Sequence, residues 1–175
     1  MMLTYREAQR ESVVIRKISK EFLTQTFQYR SDLLKIAAFI MQEKRNPLSD
    51  RYDWFQTLEF DRSTQLVNIG LSDLEWFTGS QARQTALQLR GGLMKEYEAF
   101  DSVYEGFKNK YSKKEFFDAW VDLKTKGYDA PIIEQGYEQR VLVPFLDQIN
   151  MSGRNNVEWT YEKRNGINGF AIRAT

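Results

Sequence analysis

Apolar residues recur at helical spacing near residue 40, where the chain predicts its first clear helix, Ser31–Lys44. The apolar positions that form one face of this helix are Leu33, Leu34, Ala37, Ile40 and Met41. Asn46-Pro47 ends the helix, because the residue before a proline avoids the α conformation. Trp54–Phe60 and Gln65–Ile69 are rich in strand-forming residues and predict two strands joined by a polar turn.

The stretch over residues 71–97 predicts a helix-turn-helix. Ser72 is a suitable N-cap for a short helix that carries Leu74 and Phe77. Gly79 supplies a tight turn, and Ser80 is placed to cap a second helix. That second helix is expected to bury Ala82, Ala86 and Leu89 and to expose Gln81, Arg83, Gln84, Gln88 and Arg90. An ordinary helical hairpin with a solvated polar face fits the same pattern.

The second half of the chain predicts helices followed by a hairpin. Ser112 and Glu115 have capping-box spacing at the start of one helix, and Gly127 is suited to end it. A further helix is predicted from about Ile132 to Asn150, with Pro144 causing a kink or a restart. Alternating apolar positions that flank an Asn-Gly turn then predict two strands: Val157, Trp159 and Tyr161 before Arg164-Asn165-Gly166, and Phe170 and Ile172 after it.

A helix, a second helix and a hairpin with a basic tip indicate a winged helix. The predicted fold class is therefore α+β, a winged helix-turn-helix, either as one unit or as two compressed winged-helix-like halves. Residues 1–100 would form a helix-turn-helix half suited to dimerisation, and residues 101–175 a C-terminal winged-helix half. One compact domain over the whole chain is the alternative, since 175 residues suit one domain or two very small ones.

The composition excludes most catalytic chemistry. The chain has no cysteine, which excludes disulfides, thiol nucleophiles and thiolate metal sites. It has no histidine, which excludes a Ser-His-Asp triad and an imidazole proton shuttle. The glycine-rich loops that hold nucleotide phosphates do not occur in the sequence. We therefore expect no enzymatic activity and no cofactor.

The hydropathy pattern predicts a cytoplasmic protein. The longest apolar run is Ile36–Met41, far short of the ~20 residues that cross a bilayer. Residues 1–12 carry charged side chains where a signal peptide would carry an apolar core. No membrane partner is expected. The net charge of +1 also excludes a strongly basic coat for nucleic acid.

The C-terminal part carries a family resemblance in an ordered set of features. These are a helix with an internal proline, an Ile-Asn pair at its end, an alternating strand, a basic turn and an apolar strand: Pro144, Ile149-Asn150, Val157–Tyr161, Lys163–Gly166 and Phe170–Ile172. Together they resemble the winged-helix domains of initiator replication proteins of iteron plasmids. The region from Val13 to Gly79 looks like the first winged-helix domain of such initiators. The chain departs from the family in being shorter and nearly neutral.

The resemblance implies binding to double-stranded DNA, a homodimer, and contact with host replication or transcription proteins. In the family the first domain mainly dimerises and the second inserts a recognition helix into the major groove. At the tip of the wing, Lys163, Arg164 and Asn165 would meet phosphates or the minor groove. The candidates for contact with base edges are Arg83, Gln84, Gln88, Gln139 and Arg140, because arginine pairs with guanine and glutamine with adenine. Solvated helix faces also carry glutamine and arginine.

A second function class is a phage or plasmid accessory protein that acts by protein contact, as an inhibitor or a virion component, without binding DNA. The near-zero net charge suits such a protein. Large aromatic residues supply most interface hot spots. The candidates are Trp54, Phe55, Trp76, Phe77, Trp120 and Trp159, most of which are expected in the core.

Overall fold

The helices of the described chain precede two small antiparallel sheets, which confirms the predicted α+β class. The computed structural model describes residues 8, 10, 12, 31–58, 62, 65–132, 137–149, 157–164 and 167–174. The helices within these ranges are α1 Ser31–Lys44, α2 Tyr52–Gln56, α3 Leu71–Leu74, α4 Gln81–Val103, α5 Phe107–Lys110 and α6 Lys113–Lys126. The strands are β1 Tyr128–Ile132, β2 Tyr137–Val141, β3 Val157–Arg164 and β4 Ile167–Ala174, with 3-10 turns at Glu75–Phe77 and Leu146–Gln148. No described helix is both long enough and apolar enough to cross a membrane.

Local capping signals start helices α4 and α6 where the sequence predicts them. Ser80 accepts a hydrogen bond from the backbone N–H of Arg83 at 3.2 Å, directly after the left-handed turn at Gly79, whose φ is 83°. At the start of α6, the Ser112 hydroxyl and the Glu115 carboxylate each accept the other residue's backbone N–H, which completes the predicted capping box. The bounds of α1 also match the prediction.

The main core joins the helices of both halves of the chain. Helix α1 packs against α6, and α4 adds Leu93, Tyr97 and Phe100 to the same buried cluster. The rings of Phe107 and Phe116 lie against those of Tyr97 and Phe100, with centroids 5.3 to 5.7 Å apart. The centroids of Phe107 and Phe116 are 6.2 Å from each other. Helix α4 runs without a break across residue 100, where the two halves were divided. The division into two units stays a prediction.

The C-terminal hairpin forms as predicted. Strands β3 and β4 pair antiparallel from Val157 opposite Ala174 to Arg164 opposite Ile167. This register leaves two residues, 165 and 166, between the strands, and these two lie outside the described residues. The hairpin packs on the smaller β1–β2 sheet through Tyr128, whose ring centroid lies 5.6 Å from that of Trp159.

The two strands predicted before α3 are wrong. Residues 52–56 form helix α2, because Phe55 is buried against Phe39 with Trp54 stacked on it at 4.7 Å. This tertiary packing outweighs the strand preference of a short aromatic run. Residues 65–69 form turns in which Val67 is buried. Residues 59–61 lie outside the described residues.

The helix predicted over residues 132–150 is also wrong. Residues 137–141 form β2, which pairs with β1. Val141 is fully buried, and the antiparallel pairing with β1 holds these residues as a strand. Phe145 has a positive φ of 69°, which no α-helix contains, and only a short 3-10 turn follows it. The described part of residues 132–150 therefore does not form the helix expected there for a winged helix, and the winged helix is not confirmed.

Two details of the predicted helix-turn-helix need correction. Gly70, not Ser72, occupies the N-cap position of α3. The burial pattern of α4 also differs: Ala82 is exposed and Arg83, Leu89 and Arg90 are half-buried, while Ala86 is buried as expected. The order of short helix, glycine turn and long helix is nevertheless present.

Candidate nucleic-acid interface

Helix α4 presents a polar face directly opposite its buried one. The buried residues Ala86, Leu93, Tyr97 and Phe100 lie on one side. The opposite side carries four exposed residues at spacings of i, i+4, i+7 and i+11, here named the α4 stripe: Gln84, Gln88, Gly91 and Lys95. Residues at these spacings lie above one another on a helix, so the α4 stripe is one continuous exposed surface.

The charges of α4 are divided along its length. Residues 81–95 contain Arg83, Arg90 and Lys95 and no carboxylate. The remaining residues of the helix, 96–103, contain Glu96, Glu98 and Asp101 and no cation. This order opposes the helix dipole, which favours carboxylates near the N-terminus and cations near the C-terminus. The cations of the first half therefore do not stabilise the helix through its dipole, and they remain suited to an external anion.

A groove of about 710 Å³ lies beside this cationic half of α4. It is bounded by α4, by the start of α6 and by residues from 62 to 68. Four of the lining side chains are cationic, Arg62, Arg90, Lys113 and Lys114, and one is acidic, Asp118. Gly91 of the α4 stripe also lines the groove. The exposed polar face of α4 therefore continues into a basic groove without interruption.

The groove cations outnumber the carboxylates that contact them. Lys114 Nζ lies 2.6 Å from a carboxylate oxygen of Asp118, which neutralises that lysine. Arg90 instead donates to the backbone carbonyl of Ile69 at 2.6 Å, and a neutral acceptor leaves its charge uncompensated. Lys113 is exposed and forms no ion pair within the described part of the chain. Arg90 and Lys113 are thus the two groove cations that have no carboxylate partner among the described residues, and both can bind an anion.

Arg62, which also lines the groove, is held by a buried carboxylate. Asp122 is fully buried and contacts two cations, Arg62 at 2.7 Å and Lys44 at 3.0 Å. These contacts fix the Arg62 side chain at the groove wall and tie it to α1 and α6.

Glu115, near the same end of α6, is held as an anion by its neighbours. Burial alone would raise its pKa, but hydrogen bonds from Ser112 and Arg45 outweigh burial and lower the pKa of this carboxyl below 4.5. Because Arg45 balances its charge through contacts of 2.5 and 2.8 Å, Glu115 adds little repulsion toward an anion. Burial raises the pKa of Tyr97 and of Tyr111, so both core phenols are neutral at physiological pH.

Three of the predicted DNA-binding residues share the N-terminal half of α4. Gln84 and Gln88 are exposed on the α4 stripe. Arg83 is partly buried, and its Nε has no hydrogen-bond partner among the described residues. Arg83 and Arg90 are seven residues apart, which places them on one side of the helix. The structure therefore brings together the candidates that came from the helix-turn-helix pattern.

The candidates from the second half lie elsewhere. Gln139 and Arg140 belong to strand β2 and not to a helix. Arg140 donates to the carboxylate of Asp129 at 2.7 Å and to the backbone carbonyls of Leu123 and Lys124, so it ties the β1–β2 sheet to the end of α6. In this fold the Arg140 guanidinium is therefore engaged in contacts within the chain. The side chain of Gln139 lies outside the described atoms.

The predicted wing residues stay untested. Lys163 and Arg164 form the last two pairs of β3, opposite Asn168 and Ile167, at the tip of the hairpin. Their side chains and all of Asn165 lie outside what the structure describes. Their position near a two-residue connection agrees with the predicted turn.

Sequence reasoning missed the groove. The sequence pattern places Arg90 on the polar side of its helix without assigning it to a site, and it does not single out Lys95 or Gly91. The absence of carboxylates over residues 81–95 was the available signal. Arg90 and Lys113 lie on different helices, so only the tertiary structure shows that they line the same groove.

Comparison of the chain with protein-family models and with curated proteins finds no match. The functional assignment therefore rests on the geometry and charge of the groove and the α4 stripe.

Proposed function

We propose that this chain is a non-enzymatic DNA-binding protein that lays the first half of α4 against a duplex. The observation that supports this most strongly is the continuity of the α4 stripe with the basic groove through Gly91. Gln84 and Gln88 would contact base edges, since the glutamine amide can pair with adenine in the major groove. Arg90, Lys95 and Lys113 would contact phosphates, since their charge releases counterions from the duplex.

The finer identity that we propose is a replication initiator, or its regulator, of the plasmid or phage type. The β3–β4 hairpin would act as a wing with Lys163 and Arg164 near its tip. A homodimer would place two copies of α4 on repeated or palindromic half-sites about one helical turn apart. Such a protein would position host replication or transcription proteins and perform no chemistry of its own.

Fluorescence anisotropy with labelled duplexes tests this function. DNA from upstream of the gene is compared with a scrambled duplex of the same length over a salt series. We expect tighter binding to the upstream DNA. The double variant Gln84→Ala, Gln88→Ala should lose most of this preference and keep its salt dependence, because glutamine reads bases and carries no charge. An unaltered chain that binds neither duplex at low salt would contradict the proposal.

A second candidate function is protein contact without DNA, and one observation favours it. Trp76 is 89% exposed, and Leu71 and Phe77 are exposed close to it in the segment before α4. Exposed tryptophan is a common interface hot spot. Leu48, which is 93% exposed elsewhere, provides a matched control. If this function is correct, Trp76→Ala should abolish binding of a purified host partner, and Leu48→Ala should preserve it. Neither substitution should change the binding of the chain to DNA.

A further inference from the structure

Two adjacent glycines, Gly91 and Gly92, lie in the middle of helix α4, and the fold does not need either of them. Glycine is the least favourable residue in a helix interior apart from proline. Neither Gly91 nor Gly92 has a positive φ. A Cβ added at either position would meet no described atom within 4 Å beyond the local helix. Internal packing and backbone conformation therefore both leave room for a larger residue.

The two glycines face different surroundings. Gly91 is exposed, belongs to the α4 stripe and lines the basic groove. Gly92 is one residue farther along, about 100° around the helix, and is not among the lining residues. Gly91 therefore leaves bare helix backbone at the point where the stripe meets the groove, and Gly92 does not.

A bare backbone matters when an extended ligand must come close to a helix. Glycine is suited to such close approach because it has no side chain. At this point of the helix the backbone amides are already used in helical hydrogen bonds, so they do not hold an anion. The cations that line the same groove, Arg90 and Lys113, supply that attraction instead, and neither has a carboxylate partner among the described residues.

We infer that Gly91, Arg90 and Lys113 form a binding site for one phosphodiester segment of the DNA backbone. The strand passes over the bare surface at Gly91, and the two cations contact its phosphate oxygens. The site rests on the proposed DNA-binding function and makes it more specific, since it defines where the backbone crosses α4. It also assigns the groove to the sugar-phosphate chain and leaves base contact to Gln84 and Gln88.

The test compares leucine at the two glycines. Leucine is a strong helix former, so Gly91→Leu and Gly92→Leu should both raise helix stability, which circular dichroism and thermal unfolding will verify. Binding to a duplex of about 20 base pairs is measured by anisotropy over a salt series. The Gly91→Leu variant should bind about tenfold more weakly, as expected when a charged contact is displaced. The Gly92→Leu variant should stay within about twofold of the unaltered chain.

The salt dependence of binding and a second pair of variants make the outcome decisive. Gly91→Leu should flatten the slope of log K against log salt by about 0.9 for each displaced phosphate. If the Gly91→Leu chain misfolds, Gly91→Ala takes its place, with Gly92→Ala as control and the same order of affinities expected. Equal binding by the folded Gly91 and Gly92 variants would overturn the phosphodiester site and leave the DNA-binding function intact. Failure of the unaltered chain to bind the duplex would overturn both.

Discussion

Arg62 holds Asp122 with two parallel hydrogen bonds, from Nε to one carboxylate oxygen at 2.7 Å and from a terminal nitrogen to the other at 2.9 Å. Lys44 donates to the same carboxylate at 3.0 Å. The fully buried Asp122 therefore connects α1, α6 and the segment at residue 62. Because Arg62 also lines the groove, this contact couples the stability of the core to the shape of the proposed DNA-binding surface.

Asp122→Ala should destabilise the fold strongly. Removing the carboxylate takes away a buried counter-charge that Arg62 and Lys44 share, and losing one partner of a buried ion pair costs about 3–5 kcal/mol. Urea unfolding monitored by circular dichroism measures the change. The control is Glu98→Gln, an exposed carboxylate on α4, which should change stability by less than about 0.5 kcal/mol. Similar values for the two variants would show that the buried cluster does not stabilise the protein.

Gln81→Glu should affect stability and DNA binding in opposite directions. A carboxylate in the first turn of α4 interacts favourably with the helix dipole and should add about 0.3–1 kcal/mol to the free energy of unfolding. The same charge would repel phosphates beside the α4 stripe and weaken binding to a duplex. Gln81→Lys should show the reverse of both effects. Binding that is unchanged by both substitutions would show that DNA does not approach this end of α4.

Lys113→Ala should change the salt dependence of DNA binding. If Lys113 contacts one phosphate, its loss flattens the slope of log K against log salt by about 0.9. Lys124→Ala removes the same charge from an exposed position about 16 Å farther along α6 and should leave the slope unchanged. Anisotropy titrations at four salt concentrations are sufficient. Equal slopes for the two variants would show that Lys113 does not contact the DNA.

Glu115 should contribute to stability only above the acid range. Its pKa in the folded protein lies below the ordinary value of 4.5, so the ionised form is favoured by folding. That contribution is present above pH 4.5 and is lost as the pH falls through the lowered pKa. Glu115→Gln keeps a capping side chain at this position and removes the titrating charge. Thermal unfolding of the variant should therefore depend less on pH below 4.5 than that of the unaltered chain.

Local signals in the sequence predicted the local parts of the fold. Ser80 after Gly79, and Ser112 before Glu115, start helices through hydrogen bonds that span three residues. The β3–β4 hairpin follows from an alternating pattern around one short turn. In each case the residues that determine the structure are close together in the chain, so the sequence pattern is sufficient.

The errors come from interactions between distant residues. The run around Trp54 and Phe55 has strand preference, but burial against Phe39 makes it helical. Residues 137–141 form a strand because β1 is available as a partner. The groove has the same origin, since Arg90 and Lys113 line one groove only when α4 and α6 pack together. The exposed glutamines of α4 could be predicted from spacing alone, and the basic groove beside them could not.

The most direct test of the DNA-binding surface is a titration of the ¹⁵N-labelled chain with a duplex of about 20 base pairs, followed through amide chemical shifts. The account predicts that the largest changes fall on residues 83–95 of α4 and on Lys113 and Lys114 at the start of α6. Changes confined to the segment around Trp76, or no changes at low salt, would contradict it.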